Sequence, residues 1–242
     1  MARFPHVVDN GPRRTAPGRP QTRPRKVAVV DVQVWSDFAC PWCALGLARL
    51  DAAKREFEHG DEVRVVHRSF ELHPRAPASR EQSMVDATAA KYGTTAERVR
   101  ARYEQLAKLG REAGLTFNFD RVRLASTFDA HRLAQSARGT DSEDALLRSL
   151  FRAYFSDGLL LSDHGVLREI AAAAGLDDAI TEEVLAGDLY AREVRLDEAS
   201  AQEQDVTGVP FFLINGAWPI PGAQDVDTLV IVLRRSWSRS GH

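Results

Sequence analysis

Two cysteines separated by two residues form the most reactive pattern in the chain. Cys40 and Cys43 flank Pro41 and Trp42, and they are the only cysteines among 242 residues. The pair stands where a predicted strand gives way to a predicted helix, so the free N–H groups of the first helical turn favour a thiolate there. Pro41 suits this turn because it needs no N–H partner. Cysteines in such motifs ionise at roughly pH 3.5–7.5, against about 8.5 for a free thiol. The pattern predicts dithiol–disulfide exchange, with Cys40 as the nucleophile and Cys43 as the resolving thiol.

Other uses of the cysteine pair are less well supported. A structural zinc site needs four ligands, and the chain has no second CxxC, although His67 and His73 are candidates. Covalent haem attachment requires CxxCH, and Ala44 excludes it. Two inert buried cysteines stay open as an alternative. We expect no metal and no bound cofactor.

The composition is that of an ordinary globular protein. Hydrophobic residues make up 44% and charged residues 27% of the chain, and the net charge is −2. This balance disfavours a general nucleic-acid binder. No apolar run approaches the roughly 18 residues that a membrane helix needs, so we expect no membrane partner.

Residues 1–26 differ from the rest of the chain. They contain five prolines, six arginines and Lys26, against one acidic residue, Asp9. This composition predicts a disordered Arg/Pro-rich tail. Without it, 25 basic and 33 acidic residues leave a folded body near −8. The tail lacks the apolar core of a secretory signal and cysteines are sparse, so we predict a cytoplasmic protein.

The hydrophobic pattern predicts one α/β domain interrupted by helices. Strand, helix and strand patterns open it at 26–35, 43–58 and 62–72, and strands at 208–214 and 217–221 with a helix at 225–235 close it. Between them, helical periodicity predicts segments at 82–92, 95–113, 126–138, 142–156, 163–174, 178–186 and 188–204. The α/β domain is therefore predicted to comprise 27–75 and 188–236, with an all-α insertion at 76–187.

A second signal lies about 170 residues after the cysteines, where Val209-Pro210 opens a predicted strand. Taken alone, it favours a trans proline at the first residue of a strand. Beside a CxxC, the chain resembles the thioredoxin superfamily, whose members pair that motif with a cis-proline before a strand. The resemblance implies a cis Val209–Pro210 bond next to the cysteines, where the backbone of Val209 pairs with an extended substrate. Pro41 and Trp42 complete the predicted substrate-binding residues.

The resemblance extends to the DsbA-like proteins of the FrnE type, which carry a helical insertion in the thioredoxin-like fold. The matching segments, in the family's order, are SDFACPWCALG (36–46), FELHP (70–74), STFDAHRL (126–133), LLLSDHGVL (159–167), TGVPFFLING (207–216) and IPGAQ (220–224). Ser126 departs from the family's usual Asn. The resemblance implies a cytoplasmic dithiol–disulfide oxidoreductase. Its expected partners are disulfide- or thiol-containing proteins or small thiols, and a homodimer stays open.

Three further residues near these motifs have two interpretations each. Asp37, three residues before Cys40, is either a proton shuttle or a turn residue, and the turn is favoured. Trp42 either covers the redox site or packs against the helix, and His131 follows the family pattern without needing a catalytic role.

The alternative function is a glutathione-dependent isomerase of the 2-hydroxychromene-2-carboxylate type, which generally has serine at the position of Cys40.

Overall fold

The computed structural model describes residues 30–76 and 83–239. The Arg/Pro-rich tail predicted at 1–26 lies outside these residues. The sheet strands are β1 (Val30–Ser36), β2 (Val63–Ser69), β3 (Phe211–Ile214) and β4 (Trp218–Pro221). The α-helices are α1 (Pro41–Glu56), α2 (Met84–Tyr92), α3 (Ala96–Glu112), α4 (Phe128–Ala137), α5 (Glu143–Arg152), α6 (His164–Ala173), α7 (Asp178–Ala186), α8 (Ala191–Glu203) and α9 (Val226–Arg239).

The four strands form one mixed sheet in the order β2-β1-β3-β4. Strand β1 pairs parallel with β2 and antiparallel with β3, and β3 continues into a hairpin with β4. Trp35 stands opposite Phe211, so the start of β3 lies beside the end of β1. Because α1 follows β1 directly, this register brings Pro210 to the mouth of the CxxC helix.

The two faces of the sheet are covered by different helices. The alternation predicted for β1 is confirmed, since Val30, Val32 and Val34 are fully buried in one core with residues of α1 and α9. Trp35 points the other way and packs edge-on against Phe211, in a second core that α8 closes. The sheet is therefore sandwiched between helices, which fixes the ends of β1 and β3 relative to each other.

All α-helices between β2 and α8 belong to the predicted insertion, and its helical character is confirmed. Their core is continuous with the cysteine pair: Cys40, Cys43 and Leu45 share a buried cluster with Leu133 and Leu150. The helices thus form one wall of the site. The boundaries predicted for the insertion, 76 and 187, stay a prediction.

Two local details differ from the predicted pattern. Helix α1 begins at Pro41 rather than at residue 43, because Cys40 is its N-cap and the Cys43 N–H donates to the Cys40 carbonyl at 3.0 Å. The helix predicted at 142–156 divides into α5 and a π-helical turn, Ala153–Asp157, which ends at Gly158 in the left-handed region with φ 70°. Among the described residues, no helix is both long and apolar enough to cross a membrane.

Candidate active site

The two cysteines occupy different positions at the start of α1. Cys40 is the N-cap and is 4% exposed, whereas Cys43 lies inside the first turn and is fully buried. Both are free thiols. Pro41 between them is buried at the first helical position, and Trp42 is 44% exposed. The helix therefore turns Trp42 toward solvent, rather than into the packed side of α1.

Burial separates the chemistry of the two thiols. The pKa of Cys43 is raised well above its usual value, chiefly by burial and further by its hydrogen bond to Cys40 and the charge of that sulfur. A fully buried thiol with a raised pKa stays protonated at neutral pH. Such a group is suited to act second, after the more accessible sulfur has reacted.

The strand β3 meets the cysteines through the residues just before it. The Val209–Pro210 peptide bond is cis. The thiol of Cys40 lies 3.4 Å from the carbonyl oxygen of Val209 and donates a hydrogen bond to it. Pro210 is buried, and its own carbonyl accepts from the Gly222 N–H at 2.8 Å. The sequence-predicted residues Cys40, Val209 and Pro210 are thus brought together from opposite ends of the chain.

Close packing between α1 and Pro210 depends on the missing side chain of Gly46. A Cβ atom at Gly46 would lie 3.0 Å from Pro210 Cγ and 3.3 Å from the Phe212 ring. We expect Gly46→Val to lower the free energy of unfolding by about 1–3 kcal/mol, because overpacking forces neighbouring groups apart. Urea denaturation measures this loss.

Gly208 supplies a matched control for that substitution. It lies two residues before Pro210, and a Cβ there would meet no atom within 4 Å. Gly208→Val should therefore leave the free energy of unfolding within about 0.5 kcal/mol of the wild type. Equal losses in the two variants would show that Gly46 is not needed for the approach of Pro210.

A buried carboxylate behind the cysteines was only partly foreseen from the sequence. Asp37 is 1% exposed and accepts hydrogen bonds from Ala39 N–H at 3.0 Å, Leu72 N–H at 2.7 Å and the Thr127 hydroxyl at 2.9 Å. The Ala39 contact is the predicted turn. The other two tie the turn to the segment after β2 and to the start of α4, so Asp37 joins three parts of the site.

His131 completes this buried group. Its Nε2 atom lies 3.5 Å from Asp37 Oδ1, and it forms no hydrogen bond in the described part of the chain. Burial acts to raise the pKa of Asp37, but the neighbouring His131 imidazole and the N–H groups of Ala39 and Leu72 outweigh it and lower that pKa. Asp37 is therefore ionised at neutral pH, and its charge helps to raise the pKa of Cys43. Thr127 and His131 both fall in the STFDAHRL segment, which was the only sequence signal for them.

Comparisons with known proteins agree with this architecture. The family model of the DSBA-like thioredoxin domain matches residues 31–234. The crystal structure of a probable DsbA oxidoreductase from Streptomyces coelicolor is 38% identical, with a TM-score of 0.82, and the match covers 86% of this chain and 90% of that one. The chain therefore belongs to the DsbA-like family of thiol–disulfide oxidoreductases, and the predicted thioredoxin-like fold with a helical insertion is confirmed.

Two more distant structures share the fold alone. A 2-hydroxychromene-2-carboxylate isomerase is 17% identical with a TM-score of 0.63, over 86% of this chain and 95% of its own. The cytosolic disulfide reductase DsbM from Pseudomonas aeruginosa is also 17% identical, with a TM-score of 0.59, over 86% of this chain and 99% of its own. The same framework thus occurs in a reductase and in an isomerase, and the residues of the site must decide between them.

Proposed function

We propose that this protein exchanges disulfides through Cys40 and Cys43. The observation that carries the proposal is the arrangement of the two sulfurs: Cys40 at the helix mouth against the Val209 carbonyl, and Cys43 buried behind it with a raised pKa. This is the asymmetry that a nucleophilic and a resolving thiol need.

The reaction consists of two thiol–disulfide exchanges. The thiolate of Cys40 attacks one sulfur of a substrate disulfide, which forms a mixed disulfide and releases the other substrate sulfur as a thiolate. Cys43 then loses its proton and attacks the Cys40 sulfur, which releases the second substrate thiolate. The Cys40–Cys43 disulfide has formed, and two electrons have passed to the substrate. The reverse sequence oxidises a dithiol substrate.

The surroundings of Cys40 favour an extended disulfide or thiol substrate. The backbone of Val209 lies beside the reactive sulfur, where an extended peptide or the peptide-like backbone of a small thiol can pair with it. Trp42 is exposed next to the nucleophile and offers an aromatic surface to the substrate. Pro41, Trp42, Val209 and Pro210 are therefore the proposed substrate-binding residues.

The residue at position 40 argues against the isomerase alternative. That type of enzyme generally presents a serine where this chain has Cys40. Here a second thiol stands one turn along the helix, and an isomerase that only binds a thiol cofactor has no use for it. The cysteine pair therefore favours redox exchange.

The cellular setting remains part of the proposal. The sparse cysteines support a cytoplasmic location, where thiols are kept reduced. A DsbM protein that shares the fold is described as cytosolic. Thiol- or disulfide-containing proteins and small thiols are the proposed partners, acting without nucleic acid or membrane.

Equilibration with glutathione tests the proposal directly. As the ratio of oxidised to reduced glutathione rises, the wild type should lose two free thiols in one two-electron transition. Alkylation of the remaining thiols and mass spectrometry of the protein measure this loss. The midpoint gives the reduction potential, in which about 30 mV corresponds to 1.4 kcal/mol. Cys40→Ser and Cys43→Ser should abolish the two-electron transition. An unchanged thiol count in the wild type, even in strongly oxidising buffer, would contradict redox function.

A further inference from the structure

A cavity of about 450 Å³ lies along one side of α1. The proposed substrate edge, formed by Val209 and Pro210, lies on another side of the same helix. Ala44, Ala48, Asp51 and Arg55 line the cavity, at the spacing of three or four residues that defines one face of a helix. Gly46 faces Pro210 instead. The cavity is therefore separate from the proposed substrate edge, although its inner end reaches the residue after Cys43.

Three layers of the fold enclose the cavity. Helix α1 forms one wall, the edge strand β2 forms a second, and the segment 113–117 with α5 forms the third. Most of the floor is apolar, from Leu47, Leu50, Val65, Phe117, Leu147 and Phe151. Small-molecule sites are commonly concave, mostly apolar and between about 300 and 1,000 Å³. The size and lining suit a compact organic ligand better than a protein surface.

The rim of the cavity is positively charged. Four basic residues, Lys54, Arg55, Arg148 and Arg152, line it against two acidic ones, Asp51 and Asp144, which leaves a net charge of +2. The whole chain has a net charge of −2. This local excess of positive charge, on an otherwise acidic body, complements an anion.

Three of these cations, Lys54, Arg55 and Arg148, are available to a ligand, whereas Arg152 also pairs with Asp157 at 3.7 Å. Arg148 contacts Asp51 at 3.8 Å and Asp144 at 3.6 Å, and its side chain is 65% exposed. Exposed ion pairs of such length hold a side chain weakly. Lys54 and Arg55 form no ion pair within 4 Å in the part of the chain that the structure describes.

The inner wall is uncharged at His67. Burial lowers the pKa of His67 to about 4, with nearby Arg138 and Lys54 acting in the same direction and Asp144 against them. Its imidazole is therefore neutral at pH 7. The cavity thus combines an uncharged interior with a cationic rim, which is the pattern of a site for an amphipathic anion.

We propose that this cavity binds a small organic acid, with one carboxylate on a compact apolar body. Lys54 and Arg148 on the rim attract the carboxylate, and the apolar body rests on Leu147 and Phe151. This proposal concerns binding alone and does not depend on the redox function of Cys40 and Cys43.

Isothermal titration calorimetry with defined probes tests the site. The acids are 2-naphthoate and octanoate, and the neutral control is 2-naphthamide. We expect at least one acid to bind with one-to-one stoichiometry, and 2-naphthoate to bind about tenfold more tightly than the amide, which is 1.4 kcal/mol of charge recognition. Lys54→Met/Arg148→Met should remove that tenfold preference. Lys108→Met, on an exposed position of α3 away from the cavity, should leave it unchanged.

A second variant locates the site independently. Ala48→Trp places a large side chain in the cavity and should abolish binding, with folding checked by circular dichroism. If Ala48→Trp does not fold, the charge variant alone decides. No binding of either acid to the wild type would overturn the proposal. Equal affinities for naphthoate and naphthamide, or undiminished preference in Lys54→Met/Arg148→Met, would overturn it too.

Discussion

Cys43→Ala is expected to accumulate mixed disulfides between Cys40 and its substrates. The variant keeps the nucleophile at the helix mouth, beside the Val209 carbonyl, but lacks the thiol that resolves the intermediate. Turnover should fall to background while covalent adducts build up. Non-reducing gels of cell extract, with and without added dithiothreitol, measure the adducts.

The reciprocal variant serves as the control. Cys40→Ala keeps Cys43, which is fully buried with a raised pKa and cannot easily reach an external disulfide. It should form no adducts, and the double variant should form none either. Equal trapping by the two single variants would show that both sulfurs reach substrate and that the assigned roles are wrong.

The elements of the fold were predictable because their signals are local. Valine alternation in β1 and helical periodicity after the cysteines act over a few residues. The Asn215-Gly216 turn between β3 and β4 is equally local, and both its residues take left-handed φ values of 49° and 65°. What made the pairing of β1 with β3 predictable was the thioredoxin-like resemblance, since Trp35 and Phe211 lie 176 positions apart and no local signal joins them.

The buried polar contacts of the site were not predictable in the same way. Asp37 was expected to be a turn residue, and its bond to Ala39 is such a turn. Its bonds to Leu72 and Thr127 cross 35 and 90 positions of the chain. Such contacts depend on how segments far apart in the chain pack together, which local residue type and spacing do not reveal. The cavity beside α1 escaped prediction for the same reason, because its walls come from three separate segments.

Asp197→Ala is expected to cause a large loss of stability. The Asp197 carboxylate is 4% exposed and joins α8 to β2 and α4. It accepts from Arg68 at 2.9 Å, Ser69 N–H at 3.0 Å, Gln135 at 2.6 Å and Arg138 at 2.7 Å. Breaking a buried pair costs about 3–5 kcal/mol, because the remaining partners lose their counter-charge. Urea denaturation at pH 7 measures the loss.

An exposed aspartate on strand β1 provides the control. Asp31 pairs with Arg64 at 2.6 Å, but the two side chains are 39% and 65% exposed. Exposed pairs contribute about 0–1 kcal/mol, so Asp31→Ala should lower the free energy of unfolding by less than about 1 kcal/mol. Similar losses in both variants would mean that the buried cluster does not hold the insertion against the sheet.

Acid should destabilise the wild type more than the Asp197→Asn variant, because only the wild type has a carboxylate to protonate at this position. Burial acts to raise the pKa of Asp197, but the Ser69 N–H and the guanidinium groups of Arg138 and Arg68 outweigh it and lower that pKa. An unfolded aspartate has a pKa of about 3.9. The stabilisation is therefore fully present above that value and is lost as the pH falls through the lower pKa of the folded state. The free energy of unfolding of the wild type should fall more steeply below about pH 4 than that of Asp197→Asn, which has no proton to gain at this position. Parallel curves for the two proteins would show that Asp197 contributes nothing to acid sensitivity.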